Sequence, residues 1–307
     1  MAKQRLSVVL ATRNEEGNIG LCLELVKDIA DEIVVVDEES IDKTAEIARG
    51  YGARVYVVAH EPIFHKNKQK AMELATGDWI LQLDADERVT PELAKEIKKV
   101  ICMTNGDMVK YQQLQNSKHP KLHRLFERHQ ELIEKRDGEL GGDTGGRRPG
   151  GPLARREIVA FFVPRRNYFL GKPLIHAGVY PDGVIRLIKK GKGHFPSKSV
   201  HELMRVDGEV AWLFNDLEHH DSPTFGRYLE RMNRYTDLTK DEFKKNNIST
   251  NYPTLFYYSF IKPKLVFLSL FIRHKGFMDG MRGFIWSLFS ALHFPLAYFK
   301  YWQTTKL

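Results

Sequence analysis

The sequence predicts an α/β protein with a mostly parallel central sheet and helices on both faces. Three observations carry the prediction. Short apolar runs rich in β-branched residues recur through the first hundred residues, segments with apolar residues at helical spacing separate them, and acidic residues stand where the runs end. Continuous apolar runs mark strands buried on both faces, the habit of parallel sheets. Right-handed crossovers then bring the C-terminal ends of such strands to one edge.

The first strand is expected over residues 6–11, followed by a helix with Ile19, Cys22, Leu23, Val26 and Ile29 on one face. Residues 33–37 form the second run, and Ala45, Ile47, Ala48 and Tyr51 mark the next helix. A third run covers 55–58, and a helix ending near Ala75 leads through Gly77 and Asp78 into a fourth strand over 79–84. Thr90, Pro91 and Glu92 then open another helix: a capping hydroxyl, proline at the first helical position and an acid in the first turn. From 112 to 157 polar and basic residues dominate. Within that insertion residues 122–136 can form a charged helix, and the glycine-rich part over 141–151 is expected to stay disordered. Strand character resumes at 158–163.

The organisation expected is therefore 1–111 as one half of the main domain, 112–157 as insertion, 158–245 as its second half, and 246–307 as an aromatic, basic helical segment. In the second half Ser222 and Pro223 open a helix that puts Arg227, Arg231 and Arg234 on one stripe, either a solvated face or a contact for diphosphate or lipid.

The 307 residues can build one large domain with appendages, and a charged fraction of 28% excludes a wholly membrane-embedded protein. A formal charge of +8 points to an anionic partner. Cys22 and Cys102 are too few for a disulfide framework, and both are expected as core thiols of a reducing compartment. The N-terminus enters its first strand without a charged-then-apolar leader, so the expected location of the main domain is the cytoplasm.

The chemistry centres on Asp84-Ala-Asp86. Residues two apart in an extended segment point to the same side, so both carboxylates should converge at the end of the fourth strand. A hard cation, Mg²⁺ or Mn²⁺, takes one or two carboxylates and completes its shell with water and substrate phosphates. It could there neutralise charge on a departing diphosphate. Asp37 closes the second strand, where an acid can accept hydrogen bonds from a base or ribose, while Ser40 or Asp42 can cap the helix that follows. A dinucleotide-dependent dehydrogenase would need a glycine-rich turn after the first strand, and a sugar-nucleotide pyrophosphorylase a glycine-rich, Arg-containing loop; Thr12-Arg-Asn-Glu-Glu-Gly17 is neither.

Several motifs taken together resemble the family 2 inverting glycosyltransferases of the GT-A fold. They are Ala11-Thr-Arg-Asn-Glu-Glu16, Val36-Asp37 with Ser40 and Asp42-Lys-Thr44, Ala71-Met-Glu-Leu-Ala-Thr-Gly-Asp-Trp79 and Leu83-Asp-Ala-Asp-Glu-Arg-Val89. Val163-Pro-Arg-Arg-Asn-Tyr-Phe-Leu-Gly171, Tyr180-Pro-Asp182, Arg186-Leu187, Val200-His-Glu202, Asn233-Arg-Tyr-Thr236 and Lys275-Gly-Phe-Met-Asp-Gly280 resemble its lipopolysaccharide-core β-glucosyltransferase-like branch. The resemblance covers nearly the whole chain outside the insertion. It implies a nucleoside diphosphate sugar donor, such as a UDP-hexose, and a cell-envelope saccharide or lipid-linked acceptor. It also places Thr12, Glu15 and Asp37 in the nucleoside pocket, Lys68 near the nucleotide, and Asp84 and Asp86 at the diphosphate and its metal. Inversion needs a carboxylate that takes the acceptor proton. Asp182 in Tyr180-Pro-Asp-Gly183 is the favoured base and Glu202 its competitor, although Pro-Asp-Gly is also a plain turn signal.

Beyond about residue 252 the chain is aromatic and basic, with Asp279 as the one acid. Residues 283–299 lack formal charge but fall short of the ~20 residues a span needs, and 265–272, preceded by Lys262-Pro-Lys264, is far shorter. Helices lying in the headgroup region of an anionic membrane suit that mixture, at the cytoplasmic face; ordinary core packing or a dimer interface are the alternatives. Two rival classes are a catalytically degenerate scaffold of the same fold and a nucleic-acid binder. The latter lacks any recognisable module, so no nucleic-acid partner is expected.

Overall fold

The computed structural model describes residues 4–61, 63–139, 157–196 and 204–306. Two compact units make up the chain: Met1–Arg165 with Pro181–His219, and Arg166–Tyr180 with His220–Leu307.

The first unit opens with β1 (Leu6–Thr12), α1 (Ile19–Glu24), β2 (Glu32–Asp37), α2 (Thr44–Gly50), β3 (Arg54–Val57), α3 (His65–Leu74) and β4 (Trp79–Leu83). It continues with β5 (Glu87–Val89), α4 (Pro91–Ile101), α5 (Asn105–Lys118) and α6 (Pro120–Glu139). Next come β6 (Ile158–Phe169), which runs into the second unit, β7 (Lys172–Pro173), β8 (Asp182–Lys189), β9 (Gly193–His194), β10 (Arg205–Val206), β11 (Glu209–Trp212) and β12 (Leu217–Ser222). The main sheet has the order β3-β2-β1-β4-β8-β6-β12-β5. Its first four strands are parallel, as the apolar runs predict, and β8 then pairs antiparallel with both β4 and β6.

Alternation along the strands sends side chains to two cores. Leu6, Val8 and Leu10 pack with α1, α2 and α4, while Val9, Val34 and Val36 pack with α3 and α6. The helix predicted from Thr90 forms as expected, with the Thr90 hydroxyl accepting from Leu93 N. Its buried Glu96 carboxylate accepts from Phe214 N, Asn215 N, Asn215 Nδ2 and Tyr111 Oη at 2.7–3.1 Å, pinning the turn before β12. The polar tract after Gln112 is helical as far as Glu139. Thr104 caps α5, and α6 is held by Phe126, stacked on Trp212 with ring centroids 3.8 Å apart. The glycine-rich 141–151 stretch lies outside the described residues.

The second unit contains α7 (Phe225–Lys245), α8 (Tyr252–Phe256), α9 (Lys262–Leu268) and α10 (Gly280–Lys306). Thr224, not Ser222, caps α7: its hydroxyl accepts from Arg227 N at 3.3 Å. Arg227 Nε donates to Asp221 O, and Arg231 pairs with the Asp221 carboxylate, so two of the three stripe arginines turn back on their own unit. Wide π-helical turns over Tyr257–Ile261 and Ser269–Arg273 join α8 and α9 into one helix, Tyr252–Arg273, long and apolar enough to cross a membrane. The sequence reading broke this segment at Lys262-Pro-Lys264. The helix continues because Pro263 falls in the first turn of α9, directly after a wide turn that absorbs its missing N–H. Gly283 lies so close to the Gly276 carbonyl that no Cβ fits between them. Cys22 is buried as expected; Cys102, at the C-terminus of α4, is exposed instead, because the helix ends there with its apolar face already spent on Val100 and Ile101.

Candidate active site

β1 and β4 lie side by side in the sheet, and open α/β sheets take their ligands beyond the C-terminal ends of strands that meet in this way. Thr12 ends β1, opposite Asp37 at the end of β2. Both are buried. Asp37 accepts from Ser40 N at 3.0 Å and Ser40 Oγ at 2.6 Å, so Ser40 serves the strand end rather than the next helix. Asp42 does accept from Thr44 N at 3.0 Å as α2 begins. The two loops are laced together: Glu15 N donates to Thr44 Oγ1, and Asn14 N to Ser40 Oγ. Asn14 and Glu39 both adopt left-handed backbone there. The Glu15 carboxylate accepts from Asn18 Nδ2 at 2.7 Å. Thr12 Oγ1 is buried without a hydrogen-bond partner among the described residues.

Asp84 and Asp86 occupy a tight turn between β4 and β5 rather than a straight extended segment. Glu87 makes that turn: its backbone N–H donates to Asp84 O, and its Oε2 accepts from Asp84 N, both at 3.0 Å. The two carboxylates meet very different neighbours. Asp84 Oδ2 accepts from Arg186 Nη2 at 2.7 Å, and Asp84 Oδ1 pairs with Lys68 Nζ from α3. Burial alone would raise the Asp84 carboxyl, but Arg186 and Lys68 hold it well below the usual carboxylate range. Asp86 is pushed up to about 6, by burial first and then by the negative charges of Asp84, Glu87 and Glu15. An acid so disfavoured as an anion sits where a cation would relieve it.

His219 on β12 places Nε2 3.6 Å from Asp86 Oδ2. That separation suits two donors bound to one metal at bond lengths near ~2.1 Å. Among the described residues no group of three or more His, Cys, Asp or Glu forms a ready cage, so a cation here would draw its remaining ligands from phosphate and water.

Behind the tip runs a buried charge network. Arg186 lies on β8, and its guanidinium bonds Glu87 Oε1 at 2.6 and 3.2 Å and also reaches Gln82. Arg165 on β6 approaches Glu87 at 3.5 Å and binds Asp182 Oδ2 through Nε at 2.9 Å and Nη2 at 2.5 Å. Asp182 is the first residue of β8 and pairs with Arg165 across the sheet. Because β8 runs antiparallel to β4, its start falls at the same edge as the end of β4. Asp182 is thereby linked to Asp84 through Arg165, Glu87 and Arg186. Glu202, the other base candidate, lies outside the described residues.

Sequence reasoning gave no role to Glu87, Arg165, Arg186 or His219. Their partners stand as far as about 130 residues away, and no local spacing reveals such pairs.

Comparisons with known proteins identify the family. The model of glycosyl transferase family 2 matches residues 7–162. An uncharacterized glycosyltransferase of Rickettsia typhi is 39% identical over 106 residues, which cover 34% of this chain and 35% of that protein. The lipopolysaccharide core biosynthesis glycosyltransferase LpsC of Rhizobium meliloti is 26% identical across 98% of this chain and 93% of its own length. A crystal structure of glucosyl-3-phosphoglycerate synthase from Mycobacterium tuberculosis, with Mn²⁺, UDP and product, is 28% identical over 28% of this chain and 35% of that chain, at a TM-score of 0.26. The family match spans the parallel strands, the acidic turn and the first half of β6. The α/β fold is thus of the GT-A type, and the chain is a glycosyltransferase belonging to glycosyl transferase family 2.

Proposed function

We propose that the protein moves a hexose from a nucleoside diphosphate sugar, such as a UDP-hexose, to a cell-envelope glycan or lipid-linked acceptor, with inversion, at the cytoplasmic side of a membrane. The observation that carries this reading is the contrast at the acidic turn: Asp84 compensated by two cationic side chains, Asp86 buried among acids beside His219. Full-length similarity to a lipopolysaccharide-core enzyme supports the acceptor class.

In this reading Thr12, Glu15 and Asp37 line the nucleoside, and the orphaned Thr12 hydroxyl finds its partner on the donor. Asp86 and His219, rather than the Asp84–Asp86 pair expected from the sequence, would hold Mg²⁺ or Mn²⁺ to supply positive charge to the leaving diphosphate, because both Asp84 oxygens are engaged by Lys68 and Arg186. Asp84 keeps Lys68 and Arg186 aligned beside it, adding fixed positive charge where negative charge develops. Asp182, paired with Arg165, takes the acceptor's hydroxyl proton on the face opposite the diphosphate.

Release of UDP from a panel of UDP-hexoses, with Mn²⁺ and a lipopolysaccharide-core extract as acceptor, tests the reading. Asp86→Ala and His219→Ala should lose release by about 100-fold or more while melting cooperatively. Asp182→Asn should lose transfer yet keep the thermal shift given by donor, whereas Glu202→Gln should retain transfer. Ordinary turnover in Asp86→Ala removes the metal assignment, and ordinary turnover in Asp182→Asn passes the base role to Glu202.

A further inference from the structure

The helix Tyr252–Arg273 and α10 form an antiparallel pair: Tyr258 stacks on Tyr298, Lys262 Nζ lies over the Phe294 ring at 5.0 Å, and Phe267 and Phe271 meet Phe284. The face of Tyr252–Arg273 turned away from α10 is exposed and almost wholly apolar. Tyr252, Phe256, Phe260, Lys264, Leu268 and Ile272 recur every fourth residue, and all six are exposed. In an ideal α-helix such a row would drift round the axis by about 40° at each step. The two wide turns, Tyr257–Ile261 and Ser269–Arg273, rotate it back and keep it on one side. A row kept straight in this way is a surface rather than scattered exposure.

Charge selects the occupant. Lys264, Arg273 and Lys275 are exposed on or beside the row. From Tyr252 onward Asp279 is the one acidic side chain, and its carboxylate is taken up by His176 N and Nδ1 at 2.7 and 2.9 Å. We infer that this face docks on an anionic lipid bilayer, lying in the headgroup region with its aromatic and aliphatic side chains in the acyl boundary and its basic residues at lipid phosphates. This deepens the membrane placement in the proposed function and does not depend on which sugar is transferred.

The packing within this unit decides between lying on the bilayer and crossing it. α10 is flanked on another side by α7: Tyr228 meets Trp286, Thr239 Oγ1 bonds His293 Nε2, and Lys300 pairs with Asp237. A crossing orientation would carry α7 into hydrocarbon with Glu230, Arg234, Asp237, Lys240 and Asp241, which is prohibitive. A flat orientation leaves α7 in water and places the apolar row at the interface.

Sedimentation of the full chain with preformed vesicles of phosphatidylcholine, alone or mixed with an equal part of phosphatidylglycerol, tests the inference. Binding should strongly favour the anionic vesicles. Lys264→Glu with Arg273→Glu should weaken binding to anionic vesicles by roughly 30-fold. Phe256→Ser, Phe260→Ser and Leu268→Ser combined should weaken binding by about tenfold or more on both lipids. Cooperative melting checks that each variant folds; if one does not, the wild-type preference between vesicles decides alone. Equal binding to the two lipids, or none, overturns the inference. So does a lipid-free dimer abolished by the three serine substitutions, which would give the face to a second copy of the chain. Donor turnover is unaffected by any of these outcomes, so failure here is distinct from failure of the transferase reading.

Discussion

Replacing Arg186 by methionine removes the centre of the network behind the acidic turn. Its guanidinium compensates Glu87, whose side chain has no solvent exposure, and shares Asp84 with Lys68. Removing one member of a buried ion pair typically costs about 3–5 kcal/mol, since the partner keeps its desolvation penalty. Arg165 remains 3.5 Å from Glu87 and tempers the loss, so about 3 kcal/mol is the expected figure. For a unit of about 200 residues that lowers the melting temperature by roughly 6–12 °C. Adding Glu87→Gln to Arg186→Met removes the stranded charge and should recover about half of the loss, while UDP release should stay abolished in both because the fixed positive charge of Arg186 is gone. Differential scanning calorimetry on wild type, both single variants and the double variant reads this directly. A melting temperature for Arg186→Met within a degree or two of wild type, or a double variant less stable than the sum of the singles, refutes the network as drawn.

Thr12→Val should leave stability unchanged or raise it by up to about 1 kcal/mol, since its buried hydroxyl lacks a partner, yet weaken the thermal shift given by UDP-hexose. A stability loss with unchanged donor response would mean the hydroxyl serves the fold alone. Glu32 accepts from Ser7 Oγ, Thr76 N and Thr76 Oγ1 at 2.6–3.0 Å, and these bonds outweigh burial to hold its carboxyl below the ordinary value. A depressed carboxyl stabilises the fold above the unfolded glutamate value near about 4.3, and that contribution disappears as pH falls through the lower folded value. Glu32→Gln should therefore cost about 1 kcal/mol at pH 7 and nothing in strong acid, with denaturant titrations at several pH values as the check.

Much of the fold was legible because it is written in local pattern. The alternation of apolar runs and amphipathic segments needs only a period of two or 3.6 to be recognised, and it located the strands β1 to β4 and the helix at Thr90. The acids at Asp37 and Asp84 could be placed at one edge because strand ends in such sheets share an edge, whereas Asp182 was named only by the family resemblance. Lys68, on α3, pairs with Asp84 across the strand end, a contact no local spacing announces. Helix ends were harder: α1 stops at Glu24, short of Ile29, and the helix through Lys262-Pro-Lys264 continues where proline read as a break.

What the sequence determined by itself was the family, the parallel half of the sheet and the acidic pair at the end of its fourth strand, since each depends on residues close together in the chain. Only the tertiary structure decided which carboxylate is compensated and which is left raised. Arg186, Arg165 and His219 reach the turn through antiparallel strands from about 80 to 130 residues away, and their effect depends on burial and distance rather than on spacing. The same holds for the exposed row on Tyr252–Arg273: its composition is plain in the sequence, but the two wide turns that keep it on one face are a property of the folded backbone.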